Sequence, residues 1–427
     1  MTMKKLIAAL FLTSAGPAFG ALEITVTGGE QAAQPIAVVP FARPSDITTD
    51  LAGIIAADLA RSGMFQPLAA SDMLERPTDA SQVNYRNWRA VAVDNVVVGT
   101  MRRGSGGALS VRFQLLDVLR GQQIAGYDVP VPDARRLRPV GHQIADLIYE
   151  KLTGVPGYFN SQIAYVAATG AIKSRVFQVV IADADGASPV TVATSREPLM
   201  SPSWSPDRRQ LAYVGFERGR SAIYIHTLAT GELRKFVAEK GINGAPAWSP
   251  DGRQLALTLS YERNPDIYVM DVASGAKRQL TRHFAIDTEP TWSPDGRQIA
   301  FTSDRGGQPQ IYMVAASGGE ARRVTFEGRQ NLRPRFSPDG KLLALVNVDE
   351  TGYRIGVLDF ATRELRLLSA GPLDESPSFA PNGAVVIYAA QGRQGAELAT
   401  VTVDGRVRQR LSQPGDVREP AWSPLIR

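Results

Sequence analysis

The sequence predicts a mixed fold: a small N-terminal α/β domain followed by an all-β, six-bladed β-propeller closed by its C-terminal strand. Three observations carry this reading. A short segment centred on an aromatic residue recurs six times at a nearly constant period, each interval between copies holds a run of short strand patterns, and the chain before residue 156 lacks the repeat.

The repeat comes first because internal periodicity decides the architecture. Pro246-Ala247-Trp248-Ser249-Pro250-Asp251-Gly252 recurs as Pro290 to Gly296 and as Pro334 to Gly340. A degraded copy runs from Pro377 to Gly383, an earlier one is Pro202-Ser203-Trp204-Ser205-Pro206-Asp207-Arg208, and the last is Pro420-Ala421-Trp422-Ser423-Pro424. The aromatics stand at 204, 248, 292, 336, 379 and 422, with spacings of 44, 44, 44, 43 and 43. Such a period holds four short strands and their turns, which is one propeller blade. After each Pro-Asp-Gly comes an apolar strand, such as Leu255-Ala256-Leu257-Thr258 or Ile299-Ala300-Phe301-Thr302. An alternating strand follows, such as Asp266 to Asp271, and then an outer strand such as Arg278 to Thr281. Two prolines around an aromatic would remove ladder donors from a central strand, so the repeat marks the edge strand facing the channel. The aromatic is then expected between blades, and Pro-Asp-Gly as the turn leading outward.

Counting fixes closure. The second-strand pattern starts at Ile163-Ala164-Tyr165-Val166 with no repeat in front of it, while the final repeat at Trp422 has no strands after it. The tail therefore supplies the inner strand of the first blade.

The N-terminal region reads in order as a strand at Pro35 to Phe41 and an amphipathic helix from Asp46 to Gly63 with Leu51, Ile54, Ile55 and Leu59 on one face. Three strands follow at Asn95 to Met101, Leu109 to Leu119 and Gln122 to Val131, then a helix from Arg135 to Leu152 ended by Gly154-Val155-Pro156. In front of this domain, Ala21 to Thr27 alternates apolar and polar residues and Gly28-Gly29 follows. Two readings stay open: the first strand of the domain, or a mobile strand that adds to a partner's sheet edge.

Lys4 and Lys5 ahead of the apolar run Leu6 to Leu12, with Ala18-Phe19-Gly20 behind it, read as a cleaved secretory leader; a short anchor or buried helix is the alternative. The divisions are thus 1–20 leader, 21–32 N-terminal segment, 33–155 α/β domain and 156–427 propeller. No other stretch approaches membrane-spanning length, so no direct membrane insertion is expected. The chain has no Cys, which excludes disulfides, thiolate metal sites and lipid attachment at a leader cysteine. The net charge of +5 falls to +3 once Lys4 and Lys5 leave with the leader, and the basic residues are scattered, so no nucleic-acid partner is expected.

Chemistry is sparse. His142, His226 and His283 show no paired-histidine zinc spacing, there is no Gly-x-Ser-x-Gly, and Gly104-Ser105-Gly106-Gly107 lies between strands as a hairpin turn. No catalytic residue, metal ligand or cofactor is assigned. Asp287, Glu289, Asp374, Glu375, Asp416 and Glu419 precede the inner strands and are expected around one channel mouth, with Arg333 and Arg418 making the rim mixed. That rim supports an alternative reading: a propeller enzyme, such as a metal-dependent lactonase, or a small-ligand binder.

The ordered combination of leader, α/β domain and Trp-Ser-Pro-Asp-Gly propeller resembles the TolB family, periplasmic proteins of Tol-Pal systems. Specific stretches are Val38-Val39-Pro40-Phe41, Val96-Val97-Val98-Gly99, Glu150-Lys151-Leu152-Thr153-Gly154, Pro198-Leu199-Met200-Ser201-Pro202 and Asn243-Gly244-Ala245-Pro246. The resemblance implies a non-catalytic periplasmic scaffold that supports outer-membrane integrity and cell division. It implies two partners, the lipoprotein Pal at the channel mouth and the C-terminal domain of TolA at the N-terminal segment, and a system that some toxins and phages exploit. By the same resemblance, the Pal-binding loops fall on Asn243, Gly244 and Ala245 and on Asp287, Thr288 and Glu289, and the TolA-binding residues on Leu22, Glu23, Ile24, Thr25 and Val26. Ile242 stands where a family member carries His.

Overall fold

The computed structural model describes residues 23–26 and 33–425, apart from 105–106, 261–263, 393–394 and 412. The predicted leader lies outside the described residues, as does most of the N-terminal segment.

The α/β domain is a five-stranded sheet in the order Phe65–Pro67, Gln34–Val38, Asn95–Arg103, Leu109–Asp117, Gln122–Val131. The first two pairings are parallel and the last two antiparallel. Helices α1 (Leu51–Arg61) and α3 (Leu137–Thr153) cover one face, while α2 (Tyr85–Ala90) brings Trp88 onto the other, against Val96, Val98 and Leu116. Helix α1 starts later than the sequence pattern suggests. Pro44 to Ile47 forms a turn, and Asp50 is the true cap, its carboxylate accepting the Gly53 N–H at 3.0 Å. Helix α3 stops at Gly154, whose φ of 74° suits glycine and whose N–H reaches the Glu150 carbonyl at 2.8 Å. The first predicted strand ends early, at Val38, since Pro40 brings no donor. The short strand Phe65–Pro67 and helix α2 span too few residues for a periodic signal.

The remaining chain forms six four-stranded blades. The tail strand Asp416–Trp422 pairs antiparallel with Gln162–Thr169, so blade one takes its inner strand from the C-terminus as expected. The next blades begin at Leu199, Asn243, Asp287, Gln330 and Glu375. Blade six gains a fifth strand, Glu23–Val26, on its outer edge at Val407–Leu411.

The repeat residues have separable jobs. Trp204, Trp248, Trp292 and Trp422 are buried, and three of them staple neighbouring blades. The indole N–H of Trp248 donates to the Ser203 carbonyl at 3.1 Å, that of Trp292 to Ala247 at 3.2 Å and that of Trp204 to Ala421 at 3.0 Å. The Trp422 indole reaches Ser161 Oγ at 2.8 Å instead, tying the tail to the interdomain linker. In the turn, the Ser249 hydroxyl donates to Asp251 at 2.6 Å and accepts the Gln254 N–H at 2.9 Å. Asp251 also accepts the Arg253 N–H, at 3.1 Å. The Ser249 bond, then the Arg253 bond, hold the Asp251 carboxyl below the usual carboxylate range. The same network recurs at Ser293–Asp295 and Ser337–Asp339. Gly252, Gly296, Gly340 and Gly383 have φ between 70° and 77°, which explains the glycine.

The prolines owe their tolerance to more than an edge position. Each inner strand breaks register just before its aromatic; in blade three the shift falls between Gly244 and Ala247 and leaves Ala245 and Pro246 unpaired. A β-bulge thus absorbs the missing donor.

The α/β domain packs on the propeller end that carries these turns. Asn382 Nδ2 donates to the Pro156 carbonyl at 3.0 Å, and Tyr149, Tyr158, Phe159 and Trp422 form a continuous ring cluster. One apolar core runs from α1 and α3 through Phe159 into blades one and six.

Candidate functional site: the channel mouth and the docked strand

The opposite end of the propeller is built from the loops entering each inner strand and from the hairpins between second and third strands. Counted back from the aromatic, equivalent positions in the six blades do equivalent things.

Five residues back stand Leu199, Asn243, Asp287, Asn331, Asp374 and Val417, all buried. Asn243, Asn331 and Asp374 hold the preceding loops. Asn243, 0% exposed, accepts the Glu239 N–H at 2.8 Å and donates to the carbonyls of Ser221, Glu239 and Gly241. Asp287, also 0% exposed, is paired with Arg305 at 2.6 Å. Asp374 accepts the Gly371 N–H at 3.0 Å, and burial raises its carboxyl above the usual range. The expectation that Asp287 and Asp374 belong to a mixed rim around the mouth is therefore corrected: both are buried. A loop's free N–H groups are the nearest partners for a buried polar side chain, as at Asn243 and Asp374, while Asp287 relies on Arg305 and leaves its Oδ1 without a hydrogen bond.

Three residues back stand Ser201, Ala245, Glu289, Arg333, Ser376 and Glu419. All six have positive φ, from 48° to 56°. Each precedes proline, which disfavours the right-handed helical region, and each forms the bulge. The left-handed conformation costs a non-glycine residue about 1 kcal/mol. Its appearance in all six blades marks it as part of the propeller's construction.

Several charges at the mouth are matched to one another. Arg333 Nε lies 2.9 Å from Glu289 and its Nη1 3.6 Å from Glu419. The Arg333 N–H also donates to Glu289 at 3.0 Å, and Glu419 accepts the Ser201 N–H. Burial works against the Arg333 charge, but Glu289, Glu419 and Glu375 outweigh it and hold the guanidinium above its ordinary range. Asp416 pairs with Arg418 at 3.0 Å.

A cleft of about 1380 Å³ opens beside this network, lined by Met200, Ser201, Gly244, Ala245, Thr288 and Glu289 among others. A second pocket of about 350 Å³ shares Thr288, Glu289 and Arg333 and adds Ile286, Leu332 and Tyr353. Half-exposed Ile242 lines the cleft and half-exposed Ile286 the second pocket; Phe284, in the loop before Ile286, is 87% exposed, and Phe326, 72% exposed, lines a separate pocket with Met313 and Phe360. Of the six loop positions assigned by resemblance, Asn243, Gly244, Ala245, Thr288 and Glu289 thus border the cleft, Asn243 from a fully buried position, and Asp287 does not. The exposed phenylalanines were missed in the sequence reading; their signal was an aromatic in a loop that strand patterning does not require.

At the other candidate site, Glu23, Ile24, Thr25 and Val26 pair antiparallel with Arg410, Gln409, Arg408 and Val407. Leu22 lies outside the described residues. No helix among the described residues is long and apolar enough to cross a membrane.

Two family models match: the TolB amino-terminal domain over residues 22–124 and the TolB beta propeller domain over residues 149–426. The Tol-Pal system protein TolB of Methylococcus capsulatus is 59% identical over 419 residues, covering 98% of both chains. This chain belongs to the TolB family. The Tol-Pal system protein TolB of Nitrosococcus oceani is 58% identical, covering 97% of this chain and 96% of its own. The crystal structure of TolB from Acinetobacter baumannii superposes with a TM-score of 0.87 at 39% identity, covering 95% of this chain and all of that one. The paired ends described here, mouth and docked strand, are thus features of a TolB-family propeller and a component of a Tol-Pal system.

Proposed function

We propose that this chain is a non-catalytic periplasmic scaffold of the Tol-Pal system that binds Pal at the channel mouth and the C-terminal domain of TolA through its N-terminal segment. The observation that carries the first half is the mouth itself. Glu289, Arg333 and Glu419 at its centre are already paired with one another, and Asn243 and Asp287 pin its loops. Half-exposed Ile242 and Ile286 line the open pockets there, and Phe284, two residues before Ile286, faces water. Exposed aromatic and aliphatic side chains around internally satisfied polar groups suit a protein partner, which gains by covering them.

The second half rests on strand addition. A four-residue strand held at a sheet edge by backbone pairing can exchange one edge for another, because main-chain bonds ask little of side-chain identity. The N-terminal segment on blade six and the same segment on TolA are then mutually exclusive states, and Pal binding shifts the balance between them only through unequal affinity for the two. These contacts support outer-membrane integrity and cell division.

Calorimetry with purified partners tests both halves. Ala245→Arg with Thr288→Arg, placing two long cations in the cleft, is expected to weaken Pal binding at least ~100-fold, about 2.7 kcal/mol. Removal of residues 21–32 is expected to abolish TolA binding and to change Pal affinity. Unchanged Pal affinity in the first variant sinks the mouth assignment. Unchanged affinity for both partners in the second sinks the strand assignment.

A further inference from the structure

The seam between the α/β domain and blade one carries a cluster that the partner-binding surfaces do not use. His142 lies on α3, one turn after Arg138, and is 2% exposed. Its Nδ1 is 2.6 Å from Asp58 Oδ2 on α1, and the other Asp58 oxygen is taken by Arg61. Asp58 is itself 1% exposed, so this contact is held on all sides. A carboxylate at Nδ1 fixes the ring with its proton there, leaving the lone pair on Nε2. That Nε2 is buried and has no hydrogen-bond partner.

Opposite the ring stand Asp183, at the end of a blade-one strand, and Asp185 in the turn that follows. One ligand atom from each of His142, Asp183 and Asp185 lies within 4.8 Å of the others. The turn is rigid: the Gly186 N–H donates to the Asp183 carbonyl at 2.8 Å, the Ala187 N–H to Asp185 at 3.1 Å, and Gln413 to the Gly186 carbonyl at 2.8 Å. Two arginines reach these acids. Arg138 Nε is 3.0 Å from Asp183 and its Nη2 contacts Asp185, while Arg61 lies 3.4 Å from Asp185. Both satisfy carboxylates, and neither supplies anything to Nε2.

The Nε2 lone pair is a buried acceptor without a donor, close to two carboxylates, and such a group is costly unless a cation completes it. The order of parts, carboxylate then imidazole then open nitrogen, is that of a histidine held for a metal by its outer partner. We propose that His142, Asp183 and Asp185 form a site for a zinc-class divalent cation across the domain seam, with Asp58 as the positioning residue for His142. One nitrogen and two carboxylate oxygens fit such an ion, with water as the fourth ligand. The imidazole selects against Ca2+ and Mg2+, which take oxygen ligands. Arg138 is the competitor that can leave; Arg61, 7% exposed and held by Asp58, keeps its 3.4 Å contact with Asp185 beside the ion. The Arg138 side chain is 30% exposed, so it can swing to solvent when the ion enters and return when it leaves. Because the ion must displace an existing ion pair, its affinity is set against that loss. Bound there, it would clasp helix α3 to blade one near the tail strand. The inference is independent of the partner reading.

The test uses protein purified from the cell envelope without a histidine tag, treated with chelator and titrated calorimetrically with Zn2+, then with Co2+ followed by visible absorption. One saturable equivalent is expected, with the intense visible bands of low-coordinate Co2+ and no competition from equal Ca2+. Asp183→Asn with Asp185→Asn is expected to weaken binding at least ~10-fold, and Asp58→Asn by ~10-fold through the ring's orientation. Arg138→Gln is expected to tighten binding. That opposite sign keeps the test informative should His142→Gln fold poorly. Absence of saturable binding in both the parent and the Arg138→Gln protein overturns the proposal. So does binding that the aspartate substitutions leave unchanged, or Ca2+ binding as tightly as Zn2+.

Discussion

The two ends of the propeller are made from the same strands yet by different rules. At the end carrying the Ser-Pro-Asp-Gly turns, one short network is copied blade after blade: Ser249 with Asp251, Ser293 with Asp295, Ser337 with Asp339. That end is covered by the α/β domain through one continuous apolar core. At the mouth, equivalent positions carry unlike side chains. Three residues before the aromatic come Ser201, Ala245, Glu289, Arg333, Ser376 and Glu419, which share a backbone conformation and little else. The construction end is repeated because every blade needs the same turn. The mouth varies because the bulge fixes the backbone there whatever the side chain, so unlike residues such as Glu289, Arg333 and Glu419 can pair across blades.

That contrast can be broken at several points. The largest effect is expected at the tail, the one strand on which ring closure depends. Removing residues 420–427 is expected to lower the thermal midpoint sharply and to broaden the transition. Trp422→Ala alone, which empties a buried site against Tyr158 and Ser161, is expected to cost about 3–5 kcal/mol in urea unfolding. An unchanged midpoint in the truncated chain would refute closure by the tail.

Next comes the domain seam. Burial pushes the Asp146 carboxyl up to about 7, although it accepts the Phe159 N–H at 2.7 Å and the Asn160 N–H at 3.0 Å. The folded protein therefore holds this proton more tightly than the unfolded chain, whose carboxyl titrates near ~3.9. The stability this provides is complete below that value and is lost as pH rises through about 7. Between pH ~4 and ~7 the parent is expected to lose stability that Asp146→Asn does not lose, read as the difference in slope of two stability–pH curves. Parallel slopes would show that another group carries the dependence.

The smallest effect sharpens the turn. Gly252→Ala meets no close contact, since the nearest atom to a new Cβ is Pro206 Cδ at 3.6 Å, but its φ is 70°. The expected cost is about 1 kcal/mol, from conformation and not from space. A cost several times larger would mean that packing between blades governs that position.

The sequence by itself determined the ring. Blade number, strand order and tail closure follow from six copies at a fixed period, because each blade must bury the next and the count leaves one inner strand to be supplied from the end. It also located Ala245 and Thr288 near the mouth, through a resemblance carried by local motifs. It did not show that Asn243 and Asp287 are fully buried while Gly244, Ala245, Thr288 and Glu289 keep exposed surface, since the direction of a side chain on a bulged strand depends on the break in register. Nor did spacing disclose the meeting of His142 with Asp58, Asp183 and Asp185. Those residues come from two helices and a blade turn and converge only when the α/β domain seats on the propeller. Periodic local order is written along the chain; proximity between distant segments is settled by packing of the finished core.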